Sequence, residues 1–151
     1  TDPNNAPEER SITMLVGNRT IPIGDKVRLT SEVERARSSW LTYAPYLDVF
    51  RTALLNAEGV PTEQVPEDVI TMNSRFAVSD PQTHEAICYT LVYPEDEAMN
   101  AGRVSALSPM GVALVGARVG DQVCWPSPNG LKLLRVQRLI YQPESAGGYR
   151  P

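Results

Sequence analysis

One histidine, two cysteines and three consecutive carboxylates are the residues of this chain with the most obvious capacity for chemistry. His84 stands beside Glu85 near a turn signal. A histidine metal site needs three or four converging ligands. No His-Glu-x-x-His or Cys-x-x-Cys spacing supplies them, so His84 reads as a solvated loop residue. Cys88 and Cys124 lie far apart in apolar runs and read as buried free thiols; a secreted disulfide scaffold would carry more cysteines in a shorter chain. Glu95-Asp96-Glu97 could attract a cation, but acid at the start of a helical turn is also what the helix dipole favours. No serine sits in a Gly-x-Ser-x-Gly elbow. Gly111 to Gly116 lacks the Gly-Lys-Ser/Thr ending of a phosphate loop, and helix geometry accounts for its glycines. These residues point to a protein that is not an enzyme and needs no metal or cofactor.

The bases offer a second kind of chemistry. Within residues 69–142 they are Arg75, Arg103, Arg118, Lys132, Arg135 and Arg138. Arg103 and Arg118 flank the stretch 106–116 and are the first choice for meeting an acidic partner. Such charges steer and orient more than they supply affinity. The formal net charge is −4. Non-specific binding to nucleic acid needs a cationic surface, which this overall balance does not provide, although a local patch remains compatible with it. Sequence-specific nucleic-acid binding is not expected. No basic start precedes an apolar core, and no run is long enough to cross a bilayer. The expectation is a soluble, cytoplasmic protein with no membrane partner.

The elements that position these residues centre on 106–121. Ser108 can cap a short helix, and Pro109 suits its first position. Met110, Ala113 and Leu114 then share one face. Gly116 supplies a left-handed stop, and Gly120-Asp121 a second turn. Upstream, Asp25 is a plausible cap for a helix reaching about Trp40, with Val27, Leu29, Val33, Ala36 and Trp40 as its apolar stripe. Pro45 opens a second helix lined by Tyr46, Leu47, Val49, Phe50, Ala53 and Leu54, which Gly59 stops. Short-looped helices pair antiparallel. Residues 60–68 form a proline-stiffened linker. Strands are expected over 69–78, 86–93, 103–107, 122–125 and 131–141, with a loop longer than two residues around Asn129-Gly130. Residues 1–23 read as a tail and extended arm, with Ile12 to Val16 as a short strand or arm, 24–59 as the hairpin, 69–142 as the second unit and 143–151 as a polar tail. The fold class is α+β: a short antiparallel helical hairpin plus a small twisted antiparallel sheet with one short helix.

Val69-Ile70-Thr71-Met72-Asn73-Ser74, Leu91-Val92-Tyr93-Pro94, residues 104–116, Val119-Gly120-Asp121 and Tyr141-Gln142-Pro143-Glu144 together resemble the carboxyl-terminal domain of the GreA/GreB transcript cleavage factors. The resemblance is strongest to the small branch that regulates nucleoside diphosphate kinase. It implies an FKBP-like carboxyl-terminal domain that docks on bacterial RNA polymerase beside the secondary channel and modulates transcription. The docking candidates are Arg103, Ser108, Pro109, Met110 and Arg118. An alternative implication is regulation of nucleoside diphosphate kinase level or activity, through an indirect link to that enzyme. In the cleavage factors, acids at the hairpin tip hold a catalytic metal, as hard oxygen ligands do. Here the tip, 39–46, has no Asp or Glu, and Asp48 stands alone nearby. At 1.5 Å per residue, helices of some 15 residues reach only about 22 Å. Transcript cleavage is therefore the less favoured reading. Trp40, Leu41, Tyr43 and Tyr46 form a candidate apolar tip for a partner, or else close the small helical core. Fold alone does not carry prolyl isomerase activity.

Overall fold

The computed structural model describes residues 19–146. The expectations for Thr1 to Asn18, including the arm at Ile12 to Val16, and for the last five residues lie outside them. Strand β1 (Thr20–Pro22) leads directly into helix α1 (Ile23–Arg37), and α2 (Pro45–Asn56) returns to β2 (Glu58–Val60). β1 and β2 pair in parallel, Thr20 opposite Glu58 and Pro22 opposite Val60. The two helices thus leave and re-enter the body of the protein at one place.

Helix α1 ends at Arg37, short of Trp40, and its N-cap is Pro22 with no side-chain cap. Asp25 makes a tertiary contact instead of capping, its Oδ2 accepting the Met72 N–H at 3.0 Å. The apolar stripe is narrower than expected, because Leu29 and Val33 are fully buried while Val27 and Trp40 are 65% and 87% exposed. Helix α2 buries Leu47, Phe50, Ala53 and Leu54. It stops at Asn56, three residues before Gly59, which belongs to β2.

The second sheet contains β3 (Arg75–Ser79), β4 (Ala86–Val92), β5 (Arg103–Ser105), β6 (Gln122–Ser127) and β7 (Gly130–Tyr141), in the order β5-β4-β3-β7-β6. It is antiparallel apart from β5, which runs parallel to β4. The 94–102 connection makes this possible: two 3₁₀ turns and a left-handed Gly102 bring the chain back beside Thr90, so that β5 runs parallel to the last three residues of β4. Residues 69–74 are not strand. Asn73 has φ of 68°, which breaks the extended run, and the Ser74 Oγ accepts the Thr71 N–H in a tight turn. The loop between β6 and β7 is only two residues, Pro128 and Asn129, followed by a left-handed Gly130 at φ 106°.

Two bulges punctuate β7. Ala77 opposes Arg138 but Val78 opposes Val136, so Gln137 is an extra residue; likewise Arg75 opposes Tyr141 and Phe76 opposes Leu139, leaving Ile140 extra. Phe76, Val78, Leu91 and Val136 face a hydrophobic core that also takes in Leu29, Val33, Phe50 and Leu54 from the hairpin. Gln142 ends the 69–142 unit. It is buried, and its Nε2 donates to the carbonyls of Pro66 and Val69, both at 2.8 Å. No helix among the described residues is long and apolar enough to cross a membrane.

Candidate docking site around the short helix

Helix α3 (Pro109–Leu114) is fixed at both ends. Ser108 is its N-cap: the hydroxyl accepts the Gly111 N–H at 3.1 Å and donates to the Ser105 carbonyl at 2.7 Å. Pro109 takes the first helical position, where no donor is needed. Gly111 lies flat against the preceding chain, and a Cβ there would fall 1.9 Å from the Ser105 carbonyl oxygen. At the other end the Arg19 guanidinium donates to the carbonyls of Ala113 at 2.8 Å and Val115 at 2.9 Å. These are among the acceptors that a helix end leaves without partners. Burial lowers the Arg19 pKa to about 10, against the opposing pull of Asp121. Gly116, at φ 78°, would press a Cβ onto Arg19 and Ile21.

The capped start of α3 rims two openings. One, about 270 Å³, is almost wholly apolar and lies among Tyr46, Val49, Pro109, Val112, Trp125 and Pro126. The Tyr46 hydroxyl donates to the Leu107 carbonyl at 2.6 Å, which ties the hairpin to the start of α3. The other, about 400 Å³, lies on the core side of the sheet's open end and includes Tyr89, Met110, Trp125 and Leu134, with Asp80, Glu85 and Lys132 at its polar margin. Pro109 is exposed, and Ser108 and Met110 are half-buried. The arrangement can grip an apolar side chain of a partner beside a few charges. Among the described residues no group of three or more His, Cys, Asp or Glu could hold a metal ion.

The five sequence-selected docking residues divide. Ser108, Pro109 and Met110 are contiguous at the groove rim. Arg103 opens edge strand β5 and donates to the Asp96 carbonyl at 3.0 Å. Arg118 precedes β6, the opposite edge strand, and grips Asp68 with Nε at 3.2 Å and Nη2 at 3.0 Å. The two arginines therefore serve separate margins of the sheet.

At the hairpin tip, Trp40 and Leu41 are largely exposed, and Tyr43 is 45% exposed. Tyr46 turns inward to Leu107. Asp48 is fully engaged: the Tyr43 hydroxyl and the Arg37 Nε each donate to it at 2.6 Å. Those two hydrogen bonds, Tyr43's first, hold its pKa below the usual carboxylate range. Arg37 also pairs with Glu34, which Arg51 binds in turn. The one carboxylate near the tip is thus neutralised by its neighbours rather than presented to a cation.

The tertiary contacts of several residues escaped the sequence reading. Asp25, half-buried, is pushed up to about 7 by desolvation; the Met72 N–H opposes that rise, Glu144 adds to it and Arg28 opposes it. Arg28 lies 3.7 Å above the Tyr93 ring and pairs with Glu95. Burial raises the Tyr93 pKa as well. The Thr71 hydroxyl donates to Glu144 at 2.7 Å. A lone aspartate near a helix start carries no signal that separates a cap from such a tertiary contact.

The family model for the GreA/GreB transcription elongation factor carboxyl-terminal domain matches residues 65–140. The "Regulator of nucleoside diphosphate kinase" of Escherichia coli (strain K12) is 40% identical over 106 residues, covering 70% of this chain and 78% of that protein. The "Transcription elongation factor GreA" of Rhodospirillum rubrum is 31% identical over 80 residues, covering 53% of this chain and 51% of that protein. Among solved structures, a prokaryotic transcription elongation factor GreA/GreB from Nitrosomonas europaea superposes with a TM-score of 0.68 at 34% identity, over 82% of this chain and 98% of that one.

Proposed function

The chain belongs to the GreA/GreB transcription elongation factor family, and on that premise we propose that it is a non-catalytic regulator of nucleoside diphosphate kinase. One observation carries the reading: the 40% identity over 106 residues with the Escherichia coli protein of that description. A match of that length exceeds everything from Val65 to the last residue, so it takes in part of the helical hairpin as well as the sheet. The hairpin is short and shares a core with the sheet, which suits one rigid binding body better than a probe reaching far from its anchor. The test is nucleoside diphosphate kinase activity and level, measured with the protein added, removed and restored. A change that follows the protein supports the reading; an unchanged activity and level overturns it.

A second reading rests on the family match over 65–140 and on the Nitrosomonas europaea structure. In it, the 69–142 unit, taken as FKBP-like, docks on bacterial RNA polymerase near the secondary channel through Ser108, Pro109, Met110, Arg103 and Arg118. The 24–59 hairpin then presents Trp40, Leu41 and Tyr43, and 60–68 links the two units. Binding to core polymerase in competition with a labelled cleavage factor tests it. Competition weakened by Arg103→Glu with Arg118→Glu supports that surface, and absence of binding at micromolar concentration removes the polymerase from consideration. An arrested-complex assay without RNA shortening separates this reading from transcript cleavage.

A further inference from the structure

The solvent side of the sheet gathers charge in a way the linear sequence conceals. In strict alternation Arg138 would share the face of Val136, which is buried. The extra residue Gln137 turns Arg138 outward, opposite Ala77, and the extra residue Ile140 turns Tyr141 outward, opposite Arg75. Arg135 opposes Ser79 on the same face. Across β3, Thr90, Cys88 and Ala86 oppose Arg75, Ala77 and Ser79. The face therefore carries Arg75, Arg135, Arg138 and Tyr141 around a floor of small side chains, with no acid at any of these strand positions. The three arginines are exposed and form no ion pair among the described residues, in a chain of net charge −4. The acids at the margin are Asp80 and Glu85, beyond Ser79 and Ala86 in the turn; Asp80 already accepts the N–H groups of Gln82 and Thr83.

We propose that this outer face binds single-stranded nucleic acid, without reading its sequence, through Arg75, Arg135 and Arg138 on the phosphates and Tyr141 against a base. Arg135, Arg138 and Tyr141 oppose β3 residues two apart, a step of about 7 Å along the sheet, so they form a track rather than a point. Tyr141, 46% exposed, adds a ring on which a base can stack, as bases do on sheet surfaces. An acidic protein would use the same arginines, but the small-residue floor offers it no pocket for the buried anchors from which protein interfaces draw their energy. Binding here requires neither the kinase nor the polymerase.

The test is fluorescence anisotropy of the full chain with a labelled single-stranded RNA of roughly 15 nucleotides. Saturable binding is expected, with log affinity falling against log salt at a slope of about −2, as three neutralised phosphates on a single strand give. Arg135→Glu with Arg138→Glu weakens binding at least tenfold. Tyr141→Ala weakens it at least about fivefold, while Tyr141→Phe retains it. Circular dichroism of each variant matches the parent. No saturable binding at low salt, or a double reversal that binds like the parent, overturns the proposal. So does preferential binding of labelled polyglutamate, which assigns the face to an acidic protein, or equal affinity for duplex, which removes the stacking contact.

Discussion

A residue with no catalytic chemistry sets the shape of the docking rim, and a second, away from the rim, ties stability to pH. Gly111 has no free volume, because its missing Cβ lets the helix start lie on the Ser105 carbonyl. Gly111→Ala is expected to destabilise the protein by about 1–3 kcal/mol or more, since a backbone atom rather than a flexible side chain must yield; the urea midpoint reads this. Asp25 makes stability depend on pH. Its folded pKa lies near 7 against an ordinary 3.8, so the folded state holds a proton that the unfolded state has released. The stabilisation is complete below about pH 4 and is lost as pH rises through about 7. Asp25→Asn keeps a neutral acceptor for Met72. Its stability relative to the parent should therefore increase between about pH 4 and 7 and level off above, and parallel pH curves would show that Asp25 ionises normally. The spacing of Ser108-Pro109 and Gly116 made the helix legible in the sequence, because capping is local chemistry. The fit of Gly111 was not legible, because it depends on a neighbouring turn.

At the scale of elements, local signals and tertiary demands part company in the same way. The antiparallel helices and the β3–β4 and β6–β7 hairpins follow from apolar spacing and turn residues. The parallel β5 does not, since alternation says nothing of direction. The bulges in β7 were equally hidden: in strict alternation Arg138 falls on the face opposite to Arg135 and Tyr141, and only the two extra residues bring all three to one face. Arg19 was silent too, although it closes the end of α3 from more than ninety residues away. Arg19→Met removes two charge-assisted hydrogen bonds of the kind worth about 1.5–3 kcal/mol each to charged groups. The expected outcome is faster amide exchange at Val115 and Ala117 than at Leu47 and Phe50; an even acceleration across all four would mean that Arg19 acts globally instead.

The whole molecule is built on one continuous core. Phe50, from the hairpin, is fully buried in the cluster that includes Phe76 and Leu114. Phe50→Ala is expected to cost about 3–5 kcal/mol and to lower helical and sheet signals in a single transition; a sheet that melts at its parental midpoint would contradict that coupling. The parallel pairing of Thr20–Pro22 with Glu58–Val60 extends this unity to the covalent chain. Both roots of the hairpin are stapled side by side, so the peptide bonds at its tip are not what holds the helices in place. A protease cut between Leu41 and Thr42 would leave two fragments that stay associated until denatured. The same position should accept new chain ends in a circularly permuted gene.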